Sequence, residues 1–131
     1  MTSMLRFIKN YYRTIIVLLL ILILSTISGD KVSGVSWITI PYFDKIVHLG
    51  MYLCLSVTAL FEIVRNKQNI SVRKALIFIV LMAILYGGTL ELVQEYIIKS
   101  RSGDWIDFGF NALGASLCIP FFLIYKRNKS L

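Results

Sequence analysis

A chain of 131 residues that is 57% hydrophobic, with a mean hydropathy of +0.75, is too apolar for a soluble domain of its size and too short for more than one domain. Its net charge of +7, from 14 Lys and Arg against seven Asp and Glu, could suggest nucleic acid. The basic residues instead collect between apolar runs, where they act as topology signals rather than as a nucleic-acid footprint.

Four apolar stretches follow in chain order, at about residues 11–28, 46–64, 75–98 and 105–125. Each is near the ~20 residues that a helix needs to cross the hydrocarbon core. The runs are continuous rather than alternating, so they read as helices and not as barrel strands. The expectation is an all-α polytopic membrane protein with four transmembrane helices in a single domain, residues 1–131.

The first stretch has a basic start and ends on Ser25-Thr26-Ile27-Ser28, features shared with signal peptides. Its long leading region and the lack of an exported soluble domain favour a retained anchor. Between the first and second stretches, the segment 35–43 places Trp37 and Tyr42 where an interfacial aromatic belt should lie. A lip that touches a ligand is the other reading of that segment.

The second stretch opens with Asp44, His48 and Tyr52 and closes with Glu62, three residues before Arg65, a spacing that predicts a helical ion pair at the headgroups. The third carries Gly87-Gly88, Glu91, Gln94 and Glu95. Before the fourth comes Arg101, and along it lie Asp104, Asp107, Asn111, Gly114 and Pro120. Asp44 and Asp104 are expected as helix N-caps, the glycines as close-packing positions and Pro120 as a kink. Cys54 and Cys118 lack CxxC spacing and read as small core residues.

Ten basic residues flank one set of helix ends (Arg6, Lys9, Arg13, Arg65, Lys67, Arg73, Lys74, Lys126, Arg127, Lys129) and four the other (Lys31, Lys45, Lys99, Arg101). The positive-inside rule then places both termini in the cytoplasm. All the acids except Glu62 fall at the outer end. Ionisable groups inside a bilayer cost roughly 2.5–3.5 kcal/mol each on insertion scales, so several helices carrying them at one depth suggest a built site.

Rise along the helices puts Tyr52, Glu91 and Asn111 in one layer ~10 Å below the outer ends. Asp44, His48, Glu95, Arg101, Asp104 and Asp107 form a second layer above it. Asp44/His48, Glu91/Glu95 and Asp107/Asn111 are i,i+4 pairs about 40° apart around their helices, so each helix can turn a polar stripe inward. Mutual pairing among Asp107, Arg101, His48 and Glu91 would stabilise such a network.

Three segments together carry a resemblance: Asp44-Lys45-Ile46-Val47-His48, then Glu91-Leu92-Val93-Gln94, then Arg101-Ser102-Gly103-Asp104-Trp105-Ile106-Asp107-Phe108-Gly109-Phe110-Asn111-Ala112-Leu113-Gly114. In that order they resemble the VanZ-like family of small bacterial membrane proteins, over roughly residues 44–115. The resemblance implies a multi-pass protein of the bacterial cytoplasmic membrane acting in the cell envelope. Namesake members accompany glycopeptide-resistance genes and raise tolerance to teicoplanin. A shared fold can host different functions, so envelope action is the broader expectation and resistance the narrower.

Among enzyme classes, G-x-S-x-G, H-E-x-x-H and P-loop motifs do not occur in the sequence. No catalytic residue or cofactor is assigned. His48 with Asp44, Glu91 and Asp107 could hold a cation, but a hydrogen-bonded network without metal is the expectation. Transport finds little support, with four helices and no evident inverted repeat.

The sequence thus points to an outward-facing polar pocket formed by Asp44, His48, Tyr52, Glu91, Gln94, Arg101, Asp104, Asp107 and Asn111, with Arg101 as the anion-binding group. Its expected partners are membrane lipids, a lipid-linked wall precursor or a lipoglycopeptide, and no nucleic acid. The alternative is an intramembrane enzyme that modifies such a lipid. Oligomeric state is not readable from the sequence.

Overall fold

The structure is a computed structural model that describes residues 2–26, 42–66, 71–98 and 103–129. These residues form α1 (Thr2–Thr26), α2 (Phe43–Asn66), α3 (Val72–Tyr96), α4 (Trp105–Ser116) and α5 (Cys118–Lys129). No strand occurs among them. Four helices are long and apolar enough to cross a membrane, with α4 and α5 together supplying the fourth, Trp105–Arg127.

Helices α1, α2 and α3 each start ahead of the apolar stretch that announced them, because hydropathy marks the part suited to hydrocarbon while the backbone ladder extends until its end groups find other partners, and α3 ends at Tyr96 rather than at residue 98. The difference is largest in α1, which starts at Thr2 rather than near residue 11. Its leading turns leave Met4, Leu5 and Phe7 exposed.

That early start includes a kink at Tyr11, where φ is −126° and ψ 20°. Neither Pro nor Gly is present, and the cause lies on α2. Glu62 inserts its carboxylate into the α1 ladder, accepting from the backbone N–H groups of Arg13 and Thr14, both at 3.1 Å, and from Thr14 Oγ1 at 2.7 Å. The Asn10 carbonyl, which a regular helix would give to Thr14, accepts instead from Asn66 Nδ2 at 2.6 Å. The last turn of α2 thus satisfies both halves of the broken α1 bond. Glu62 is buried, and the expected pair with Arg65 gives way to this clasp because unpaired backbone donors compete more strongly than an exposed cation.

The fourth span also breaks, at Leu117. Pro120 has no N–H to offer the Ser116 carbonyl one turn earlier, so the ladder ends at Ser116 and restarts at Cys118. The expected kink therefore lies on the N-terminal side of the proline.

Helix α2 is the hub: it packs on α1, α3, α4 and α5, most extensively on α4. Gly114 permits that approach, since a Cβ there would overlap the Leu49 carbonyl. One buried cluster, Ile21, Tyr52, Leu55, Ala83, Leu90 and Ala115, lies toward the start of α2. A second, Leu60, Ala75, Leu76, Ile79 and Cys118, lies toward its end. Cys118 is buried as expected of a small core residue, but Cys54 is exposed. Only 6% of the apolar α1 window is buried against 33% for α2 and for α3, so α1 is the peripheral helix. Exposed Ile77, Phe78, Leu81, Met82 and Leu85 give α3 a wide apolar face suited to lipid.

Candidate functional site: a buried polar network at one end of the bundle

The network begins where the chain enters α4. Asp104 is the N-cap, extended at φ −118° and ψ 116°, and its Oδ1 accepts from the Ile106 N–H at 2.8 Å. Its other oxygen, Oδ2, accepts from Lys45 Nζ at 2.8 Å. Two carboxylates on one face of α3 hold the same entry: Glu95 Oε2 accepts from the Gly103 N–H at 2.8 Å and Glu91 Oε2 from the Asp104 N–H at 3.1 Å. The Lys45 hydrogen bond, followed by the Ile106 N–H, holds the Asp104 carboxyl below the usual carboxylate range.

Lys45 lies at the centre. Its ammonium is 2.9 Å from Asp44 Oδ2, 2.8 Å from Asp104 Oδ2 and 2.6 Å from Asp107 Oδ1, with its side chain only 11% exposed. Sequence reasoning counted Lys45 as a topology charge and missed this position. Its spacing was the available signal, because Lys45, His48 and Tyr52 fall at i, i+3 and i+7, on the face of α2 that carries Leu55 and Glu62 into the bundle. Asp44 is not the N-cap of α2. Tyr42 takes that place with a left-handed φ of 62°, its carbonyl accepts from the Ile46 N–H at 3.2 Å, and Asp44 sits inside the first turn.

Deeper in the bundle, His48 Nδ1 is 2.9 Å from Asn111 Oδ1, and Asn111 Nδ2 is 3.4 Å from Glu91 Oε1. These contacts fix each other's polarity. An ionised Glu91 can only accept, so it faces the Asn111 amide nitrogen, and the amide oxygen must then receive the proton on His48 Nδ1. His48 Nε2 is left facing Asp107 Oδ2 across 3.8 Å. That separation exceeds a hydrogen bond.

The structure therefore joins Asp44, His48, Glu91, Glu95, Asp104, Asp107 and Asn111, residues that the sequence placed in the two polar layers, and adds Lys45. Tyr52 lies one turn below His48, 1% exposed, and its hydroxyl has no hydrogen-bond partner among the described residues. Gln94 is buried but turns away, donating from Nε2 to the Ser25 carbonyl of α1 at 2.9 Å. Arg101 and the segment with Trp37 lie outside the described residues.

Five carboxylates thus gather here around one described ammonium: Asp44, Asp104 and Asp107 contact it, while Glu91 and Glu95 accept from backbone N–H groups. Beside them runs a groove of about 480 Å³ between α3 and α4, walled by Leu85, Gly88, Leu92, Trp105 and Phe108 and reaching Glu91, Glu95 and Asp104. Set beside family models, curated proteins and solved structures, the chain matches none of them.

Proposed function

We propose that the chain is a multi-pass protein of the bacterial cytoplasmic membrane whose outward-facing site holds an amphiphilic molecule of the cell envelope: a membrane lipid, a lipid-linked wall precursor or an acylated glycopeptide. The carrying observation is the α3/α4 groove, apolar along its wall and acidic where it meets the network. A groove of that make suits an acyl or prenyl chain along the wall and a polar head at Glu91, Glu95 and Asp104. The excess of carboxylates favours a head rich in amino, ammonium or hydroxyl donors over a bare anion. Arg101, the cation that the sequence reading assigned to an anionic head, would be the group to admit one.

The resemblance to the VanZ-like family supports the envelope setting and supplies the narrower reading, lowered susceptibility to teicoplanin-type drugs. Such drugs carry an acyl tail that can reach the membrane, and vancomycin does not. Purification in mild detergent followed by lipid extraction and mass spectrometry tests the binding reading. One class of amphiphile should be retained by the wild type and depleted in Thr89→Trp, which fills the groove from its exposed rim. Equal lipid content in both would overturn it. Expression in a susceptible Gram-positive host tests the resistance reading, which requires a larger rise in inhibitory concentration for teicoplanin than for vancomycin.

An intramembrane enzyme acting on the same molecules is the second reading, favoured by one observation. With Nδ1 against the Asn111 amide oxygen, a neutral His48 would present Nε2 as a base. An enzyme should lose function in His48→Gln and also in Glu91→Gln, whereas a binding protein should tolerate at least one of these isosteres.

A further inference from the structure

We propose that His48, Glu91 and Asp107 hold a single divalent first-row metal ion of borderline softness, of which Zn²⁺ is the representative. One nitrogen or oxygen from each of these residues lies within 4.8 Å of the other two. A ligand set of one imidazole and two carboxylates is suited to Zn²⁺ and its neighbours rather than to Ca²⁺ or Cu⁺. The inference goes beyond the ligand-binding reading and does not depend on what occupies the groove.

The geometry argues for an ion before any charge count does. With Nδ1 committed to Asn111, a neutral His48 presents a lone pair on Nε2, and the atom opposite, Asp107 Oδ2, has only lone pairs to offer. In that neutral form two acceptors face each other at 3.8 Å. A metal ion at about 2.0–2.2 Å from each resolves that conflict, and side-chain rotations on the order of 1 Å bring the third ligand in.

The surroundings are those of metal ligands. His48 is oriented through Nδ1 by Asn111, Asp107 is held through its other oxygen by Lys45 at 2.6 Å, and Glu91 is held by the Asp104 N–H at 3.1 Å. Such partners fix the tautomer and direct the remaining lone pairs inward. Below the triad, the Tyr52 hydroxyl points to α3 beside Gly87, one turn beneath Glu91, and has no hydrogen-bond partner among the described residues. A ligand completing the ion's coordination would supply that partner. Three donor atoms also leave a coordination position open, as in sites that bind or polarise a substrate oxygen.

The test uses the full chain, purified in detergent, stripped with EDTA and returned to metal-free buffer. Equilibrium dialysis against Zn²⁺ should load one ion per chain. His48→Gln and Asp107→Asn should each weaken binding at least roughly tenfold, and Asn111→Ala by about 10- to 100-fold through loss of orientation. Cys54→Ser should bind like the wild type, since Cys54 is the exposed thiol. If the triad variants do not fold, Co²⁺ loaded into the wild type decides. Intense visible bands of a low-coordinate nitrogen and oxygen site support the proposal, and weak octahedral bands or a thiolate charge-transfer band overturn it. A folded wild type that takes up no Zn²⁺, or binding untouched in folded His48→Gln and Asp107→Asn, also overturns it. Lipid content of the same preparations reports on the groove separately.

Discussion

Single side chains with several partners govern both ends of the molecule, and they are the residues whose loss should be felt most. Replacing Lys45 with Met leaves three carboxylates facing one another and should lower thermal stability in detergent by about 1.5–3 kcal/mol. Glu62→Ala strands the Arg13 and Thr14 N–H groups and should lower stability by roughly 1–3 kcal/mol, while Arg65→Ala, at an exposed position, should stay within about 0.5 kcal/mol. An equal effect of the two would return Glu62 to a surface ion pair. Glu91→Gln and Asn111→Ala should be non-additive by about 0.5–2 kcal/mol, as their 3.4 Å contact requires. The sequence made Glu91, Asn111 and His48 visible because polar groups on apolar helices have few reasons to be there. Lys45 and Glu62 were obscured by a competing explanation, since a charge near a helix end already suits the headgroups. Only the shared α2 face separates the two cases, and it needs the whole stripe to be read at once.

At the level of the helix, existence and order were legible from hydropathy, whereas boundaries and breaks were not. The α1 kink is written on another helix, in Glu62 and Asn66, so no local pattern around Tyr11 announces it. The α4/α5 break is announced by Pro120 but falls three residues earlier at Leu117, next to the Ser116 carbonyl that the proline cannot serve. The start of α4 should respond to acid through Asp104. Its carboxyl is held below the ordinary value of about 3.9, so the folded state prefers it ionised. Its contribution is therefore complete above that value and is lost as pH falls through the lower folded one. Thermal unfolding followed from pH 7 to 3 should show an acid limb that is shallower in Asp104→Asn than in the wild type.

Across the whole molecule, charge is polarised along the bundle. The network end gathers Asp44, Glu91, Glu95, Asp104 and Asp107, and the opposite end carries Arg65, Arg73, Lys74, Lys126 and Arg127. A bundle with that asymmetry has one favoured orientation, since basic residues near helix ends are retained in the cytoplasm and acids have little say. The rule predicts that the network faces outward, where an envelope ligand or a metal ion would reach it without crossing the hydrocarbon. Single cysteines on a Cys54→Ser, Cys118→Ser background test this with a membrane-impermeant thiol reagent on intact cells. Ser33→Cys and Ser102→Cys, in the segments joining α1 to α2 and α3 to α4, should label without permeabilisation. Asn69→Cys, between α2 and α3, should label only after it. The reverse pattern would put the five carboxylates on the cytoplasmic side. It would leave the His48, Glu91 and Asp107 cluster intact while removing the route by which an external lipid-linked precursor or an acylated drug could meet it.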